Sequence, residues 1–249
     1  TTYLHSIREQ ALKDMIPEDL LAFSGKHTAT LDPSTYNFDV EWFASTKSAK
    51  GFHQMLADLP GAFDDALANI PLEGDVSEAD YQQFVVAYLL AFNGSDEKPT
   101  LAPATRLLAM RRPDVFTPIS NSRLDALCAA LGITKLNNRD FERYWQDIVQ
   151  SIHAMSWFKM ANGSNELEEQ LVSIKALLPC FFYYADASTA DNLEIGCRLD
   201  DLFGHLGGRA DRQTVILIDD LEQLVLILAD IRQEIDIYAP ILKDLNGCR

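Results

Sequence analysis

The chain has 249 residues, 47% hydrophobic and 23% charged, a balance typical of globular proteins rather than disordered, collagenous or membrane-spanning ones. Its 37 acidic and 21 basic side chains give a formal net charge of −16. A chain this negative does not bind nucleic acid through a broad electrostatic surface, because binding a polyanion needs clustered lysine and arginine.

The first hundred residues are predicted to form helices joined by one long loop. Apolar side chains recur at helical spacing over residues 4–15, 52–59 and 60–68, whereas residues 25–43 are rich in Thr, Ser, Asn and Asp and favour a loop with at most one short strand. Ser77 is predicted to cap a further helix, since Asp80 lies three residues on. That helix carries a continuous apolar stripe, which we interpret as core: Tyr81, Phe84, Val85, Tyr88, Leu89 and Phe92.

The remainder of the chain is also predicted to be helical. Helices are expected over residues 103–110, over 123–131 with Gly132 as the terminating residue, and over 140–155. Residues 161–165 have the composition of a linker, and apolar periodicity resumes over 166–178, 190–203 and 211–238. The predicted fold is therefore all-α, with an N-terminal multi-helix domain (residues 1–160) followed by a C-terminal antiparallel helical bundle (residues 166–249).

Cysteine spacing and hydropathy indicate the compartment. The four cysteines, Cys128, Cys180, Cys197 and Cys248, are too widely spaced for a structural zinc site. No secretory leader pattern opens the chain, and its longest apolar runs, residues 215–218 and 224–229, are much shorter than a membrane span. We expect a cytoplasmic protein that binds no membrane.

The common catalytic and cofactor motifs are incomplete. Residues 214–220 contain an apolar run followed by two acids, a pattern similar to the magnesium-binding strand of nucleotide-binding proteins. The chain has no phosphate-binding loop to accompany it. The five histidines are scattered, and acid pairs such as Asp64–Asp65 and Asp219–Asp220 are best interpreted as solvated faces. We therefore expect a non-catalytic protein with no cofactor and no metal.

The negative charge is unevenly distributed. Residues 1–98 carry net −10 and residues 160–249 carry net −9, whereas residues 99–145 carry four acids and seven bases, net +3. We call this last segment the arginine island. Four of its arginines are candidate contacts for an anion or a partner: Arg106, Arg111, Arg112 and Arg123.

Part of this island resembles a known family. Within residues 101–133, Pro103, Thr105, Leu107 and Leu108, then Arg123 and Leu131-Gly132-Ile133, resemble the core of helix-hairpin-helix DNA glycosylases. The resemblance places Thr100 and Ala102 where the family has its hairpin glycines, Ala104 at the lysine of bifunctional members, and Ser120 or Asn121 at the catalytic aspartate. It thus implies a shared fold without base excision. Residues 101–158, which include the aromatic segments 144–152 and 156–158, look like helical proteins of bacterial defence and restriction loci.

Two functions and one purely structural interpretation follow. The first hypothesis is a regulatory or scaffold subunit in a bacterial defence assembly, which binds a protein partner or a second copy through its apolar C-terminal helices. The alternative is a divergent DNA-binding protein in which residues 101–145 meet nucleic acid, the four arginines meet phosphates, and Trp145 or Trp157 lies near a base. The structural interpretation is a packed helical pair with solvent-facing arginines.

Overall fold

The computed structural model describes residues 2–26, 46, 48–155, 157–159, 162–163, 166–177 and 179. The α-helices of this part are α1 (Thr2–Ile7), α2 (Pro17–Ser24), α3 (Lys50–Asp58), α4 (Pro60–Leu67), α5 (Glu78–Leu90), α6 (Leu101–Arg111), α7 (Leu124–Ala130), α8 (Phe141–Arg143), α9 (Gln150–Ala154) and α10 (Glu166–Val172). The described residues include no strand, so the predicted all-α class is confirmed for them. None of these helices has the length and apolar content that crossing a bilayer requires.

Helix α5 begins where the sequence predicts. The Ser77 hydroxyl accepts a hydrogen bond from the backbone N–H of Asp80, and the Asp80 carboxylate accepts one from the Ser77 backbone, so the capping box is complete. Tyr81, Phe84 and Tyr88 are buried on the inner side of the helix. Leu89, which the predicted stripe includes, is instead 38% exposed. One face of α5 therefore belongs to the core and another does not.

Helix α6 is buried along its length. Every residue from Leu101 to Met110 is buried, and the helix begins two residues before the predicted range of 103–110. The Thr105 hydroxyl accepts a hydrogen bond from the backbone N–H of Ile119 at 2.9 Å, which holds the chain that follows α6 against it. Helices α2 and α4 pack against it.

Two predicted helices are interrupted. The helix expected over residues 4–15 ends at Ile7, and a 3-10 turn follows at Leu12–Asp14. The Asp64 carboxylate accepts hydrogen bonds from the backbone of Leu12 at 2.6 Å and Lys13 at 3.2 Å, which supplies acceptors that a continuous helix would have provided internally. A tertiary contact thus holds the 3-10 turn that stands in place of a continued α-helix.

The helix expected over residues 140–155 contains a wider π-helical segment, Tyr144–Val149, between α8 and α9. Its large side chains Tyr144, Trp145, Ile148 and Val149 are all buried. The wider turn lets these four residues face the core together, which an α-helical period would not do as fully. The Tyr144 hydroxyl donates to the carbonyl of Thr117 at 2.8 Å and fixes the segment against the chain after α6.

Helix α7 ends as predicted. Gly132 has φ 66°, and the backbone N–H groups of Gly132 and Ile133 donate to the carbonyls of Ala129 at 3.1 Å and Cys128 at 2.9 Å. This is the paired bonding of a Schellman motif, in which glycine tolerates the left-handed backbone.

Beyond the predicted linker, the chain returns to the same core. The backbone N–H of Ala176 donates to the carbonyl of Pro113 at 3.1 Å, and the Thr117 hydroxyl donates to the carbonyl of Ala176 at 2.7 Å. Leu171 and Leu177 are buried with the core residues of the preceding helices. The rest of the predicted C-terminal bundle, with its segments 190–203 and 211–238, and residues 27–43 of the predicted loop lie outside the described residues.

A buried histidine predicts how stability depends on pH. The Nε2 atom of His53 lies 3.0 Å from the carbonyl oxygen of Thr46, and the Thr46 hydroxyl donates to the carbonyl of Ser24 at 2.5 Å. Burial lowers the pKa of His53 from 6.5 to about 4. The unfolded chain therefore binds more protons than the folded chain between these values, and the free energy of unfolding should fall as pH decreases from about 6.5 towards 4.

His53→Gln, which keeps a hydrogen-bond donor, should flatten this dependence in urea unfolding measured from pH 7.5 to about 4.5. Some slope should remain, since burial also lowers the pKa of His5 and His153. Equal slopes in the variant and the natural chain would contradict the assignment to His53.

Candidate functional site

Arg106, a predicted anion contact, is a core residue. Its side chain is fully buried, and its guanidinium donates to the carbonyls of Phe23 at 3.0 Å and Ala22 at 2.5 Å. Both carbonyls belong to the last turn of α2, where the helix dipole favours a positive charge. Arg106 therefore joins α6 to the C-terminal end of α2.

Arg112 organises the loop between α4 and α5. Its guanidinium forms two hydrogen bonds of 2.8 Å with the Asp114 carboxylate, and it also donates to the carbonyls of Pro71 and Gly74, each at 2.7 Å. The residue is 3% exposed. The guanidinium N–H groups of Arg112 therefore donate to other groups of this chain.

Arg111 lies beside Arg8, a residue that the sequence patterns did not single out. Its Nη1 atom donates to the carbonyl of Arg8 at 2.7 Å, while the Nε atoms of both arginines are buried without a hydrogen-bond partner. Burial lowers the pKa of Arg111, and the charge of Arg8 acts in the same direction. Two like charges thus share a partly buried position near Asp64 and Glu9, whose charges oppose that shift.

The predicted aromatic contacts and Arg123 lie elsewhere. Trp145 is 3% exposed and stacks on Tyr81 with ring centroids 5.2 Å apart, and its indole N–H has no hydrogen-bond partner. Arg123 is half-buried in the turn before α7, where its backbone N–H donates to Ser120. Trp157 begins a short 3-10 turn, and its side chain lies outside the described structure. The five predicted site residues whose side chains the structure describes therefore do not form one shared surface.

A cleft of about 510 Å³ lies where α3 and α6 begin. Two lysines and one glutamate supply its charged groups, and the Glu97 side chain lies against Gly51. The positions that the family resemblance assigns to the hairpin and to the catalytic aspartate line this same cleft: Thr100, Ala102, Ser120 and Asn121. The charged lining residues are Lys50, Lys98 and Glu97.

The outer face of α5 is apolar and exposed. Among the described residues, five large apolar side chains are exposed, and three of them lie within five positions of this helix: Val86 at 58%, Leu89 at 38% and Leu90 at 58%. Scattered exposed apolar residues are ordinary, but a contiguous group indicates a contact surface. We call the shallow groove here the α5 groove; its lining is uncharged and comprises Asn69, Ala79, Gln82, Gln83, Val86, Ala87 and Leu90.

The sequence carries a signal for this surface, although the predicted core stripe of α5 does not include it. Residues 84–90 read Phe-Val-Val-Ala-Tyr-Leu-Leu, an unbroken apolar run of two helical turns. A helix that buries only one face needs about half of these positions to be apolar. The apolar residues beyond that number include Val86 and Leu90, which face outward.

The described residues contain no group of three or more His, Cys, Asp or Glu side chains placed to hold a metal ion. Cys128 is a buried free thiol on α7. Comparisons of the sequence with protein-family models and with curated proteins, and of the structure with solved structures, found no significant match.

The placement of Arg106 predicts a large loss of stability on substitution. Arg106→Met keeps most of the side-chain volume but removes two charge-assisted hydrogen bonds to α2, and we expect the free energy of unfolding to fall by about 2–4 kcal/mol. Arg123→Met is the matched control and should change it by less than about 0.5 kcal/mol. Urea unfolding followed by circular dichroism measures both. Equal stability of the two variants would contradict the structural role of Arg106.

Proposed function

We propose that this chain is a non-catalytic regulatory or scaffold subunit that binds a protein partner. The exposed apolar side chains of α5, Val86, Leu89 and Leu90, are the observation that carries the proposal. The resemblance of residues 101–158 to helical proteins of defence loci favours a bacterial defence assembly as the setting.

The magnitude of the contact can be estimated from burial. Complete burial of a valine or leucine side chain contributes about 1.5–3 kcal/mol, and Val86 and Leu90 are each 58% exposed. Covering both would therefore contribute roughly 2–3 kcal/mol, or about a hundredfold in affinity. This is enough to decide whether a complex persists, although a stable interface also needs contacts around the groove.

The proposal predicts that Val86→Glu/Leu90→Glu releases the chain from its complex. The full chain and its variants would be produced in their native cells, cross-linked before lysis, and analysed by size-exclusion chromatography with light scattering. The natural chain should run in a species heavier than its own 27.9 kDa, and the variant mainly at that mass.

Ile16→Glu/Leu59→Glu is the matched control. Ile16 and Leu59 are 57% and 51% exposed but lie away from the α5 groove, and the change adds the same two negative charges. This control should retain the heavier species. A natural chain that remains at 27.9 kDa after cross-linking, or a control that dissociates as readily as the α5 variant, would refute the proposal.

A second candidate is a helix-hairpin-helix-like protein that binds DNA without glycosylase activity. The observation in its favour is that Thr100, Ala102, Ser120 and Asn121 line one cleft together with Lys50 and Lys98. Backbone N–H groups at helix starts and lysine side chains are suited to phosphate oxygens. Because Arg106 and Arg112 are engaged by the chain itself, this candidate now depends on the lysines and Arg123.

The second candidate predicts that a short duplex DNA binds at 50 mM salt and weakens steeply by 200 mM. Lys50→Ala/Lys98→Ala/Arg123→Ala should lower the affinity at least tenfold, as measured by fluorescence anisotropy. Lys13→Ala/Lys26→Ala/Lys159→Ala removes three exposed bases outside both the cleft and residues 101–145, and should change the affinity little. Absence of DNA binding at low salt would eliminate this candidate.

A further inference from the structure

The helical hairpin that carries the α5 groove is strongly acidic. Residues 51–97, which contain α4, α5 and the loop between them, have nine acidic side chains and no lysine or arginine. Asp65, Glu73, Asp75 and Glu78 are exposed, and within the described residues none of them pairs with a base. The hairpin that carries the apolar surface therefore bears uncompensated negative charge.

Two of these acids are hydrogen-bonded to residues that line the groove, Asp65 through its backbone carbonyl and Glu78 through its carboxylate. Asn69, which lines the groove, bonds through its side chain to the carbonyl of Asp65 one turn earlier at 3.0 Å. On the other side, Gln82 lines the groove and donates to the Glu78 carboxylate at 3.1 Å. An acid of α4 and an acid at the start of α5 are thus neighbours of the groove lining.

The groove has the dimensions of a short helix. Ala79, Gln83, Val86 and Leu90 are spaced by four, three and four residues, so they form one row along the outer side of α5. From the first to the last of these residues the helix rises by about 16 Å, or roughly three turns. A helix of about three to four turns would cover the row with its own apolar positions.

We propose that the partner segment seated in the α5 groove is a basic amphipathic helix, an inference that rests on the proposed protein-binding function. Its apolar face covers Val86 and Leu90, and its lysine or arginine side chains meet Asp65 and Glu78. Charge complementarity of this kind selects a partner and speeds association more than it adds affinity.

The same charges disfavour two other occupants. A second copy of this chain would bring the identical acidic surface to a two-fold interface, so like charges would face each other. The predicted helix over residues 211–238 has seven acids against two bases and would be repelled in the same way.

Designed peptides provide the test. A fluorescein-labelled 14-residue helix of leucine and lysine would be titrated with the full chain by fluorescence anisotropy, in parallel with a leucine and glutamate peptide of the same pattern. The lysine peptide should bind at least tenfold more tightly than the glutamate peptide, and its affinity should fall as salt is raised from 50 to 300 mM.

Two variants separate the apolar from the charged contribution. Val86→Ser/Leu90→Ser leaves the charge unchanged and should weaken the lysine peptide at least tenfold. Asp65→Asn/Glu78→Gln should weaken it about three- to tenfold and reduce its salt dependence. The matched control Asp125→Asn/Glu142→Gln neutralises two exposed acids on α7 and α8 and should have no such effect.

The failures are distinguishable. Equal binding of the lysine peptide to Val86→Ser/Leu90→Ser would show diffuse charge attraction and overturn the docking site. Equal binding of both peptides to the natural chain, with loss in the serine variant, would overturn the basic partner while leaving the protein-binding function supported. Absence of binding by either peptide would overturn the helix-docking inference, and the cross-linking experiment would still decide the proposed function separately.

Discussion

The buried guanidinium of Arg106 is the contact on which the described fold depends. A charge without solvent access is costly unless hydrogen bonds replace its hydration, and here the carbonyls at the end of α2 replace part of it. The contact fixes the orientation of α2 against α6, and α6 in turn is buried by the helices around it. Because the guanidinium is planar and donates in fixed directions, lysine could not reproduce both bonds.

Three arginines, two in α6 and one directly after it, form the same kind of hydrogen bond at three places. Arg106, Arg111 and Arg112 all donate to backbone carbonyls, of α2, of Arg8 and of the loop between α4 and α5 respectively. Much of the positive charge of the arginine island therefore lies inside the described structure. Most acids of residues 51–97 are exposed, so the solvent-facing charge of the described part is more negative than its sequence alone suggests.

Local patterns predicted local structure well, and tertiary contacts account for the differences. The capping box at Ser77 and the glycine stop at Gly132 each depend on residues within a few positions, and both are confirmed. The 3-10 turn that follows α1 is held by Asp64, more than 50 residues away, and the burial of Arg106 depends on carbonyls 83 and 84 residues away. The family resemblance covers residues 101–133, whereas the surface that supports the proposed function lies on α5. There the surplus of apolar residues over one helical face was the available signal.

The hydrogen bonds from Arg112 to the carbonyls of Pro71 and Gly74 affect how this chain would associate with a partner. These bonds fix the loop that joins α4 to α5, so the two helices that border the α5 groove are held in position before any partner arrives. Binding then needs to order little of this chain, and the conformational entropy lost on association falls mainly on the incoming segment. Such a preorganised receptor can accept a segment that is unstructured when free and becomes helical on contact.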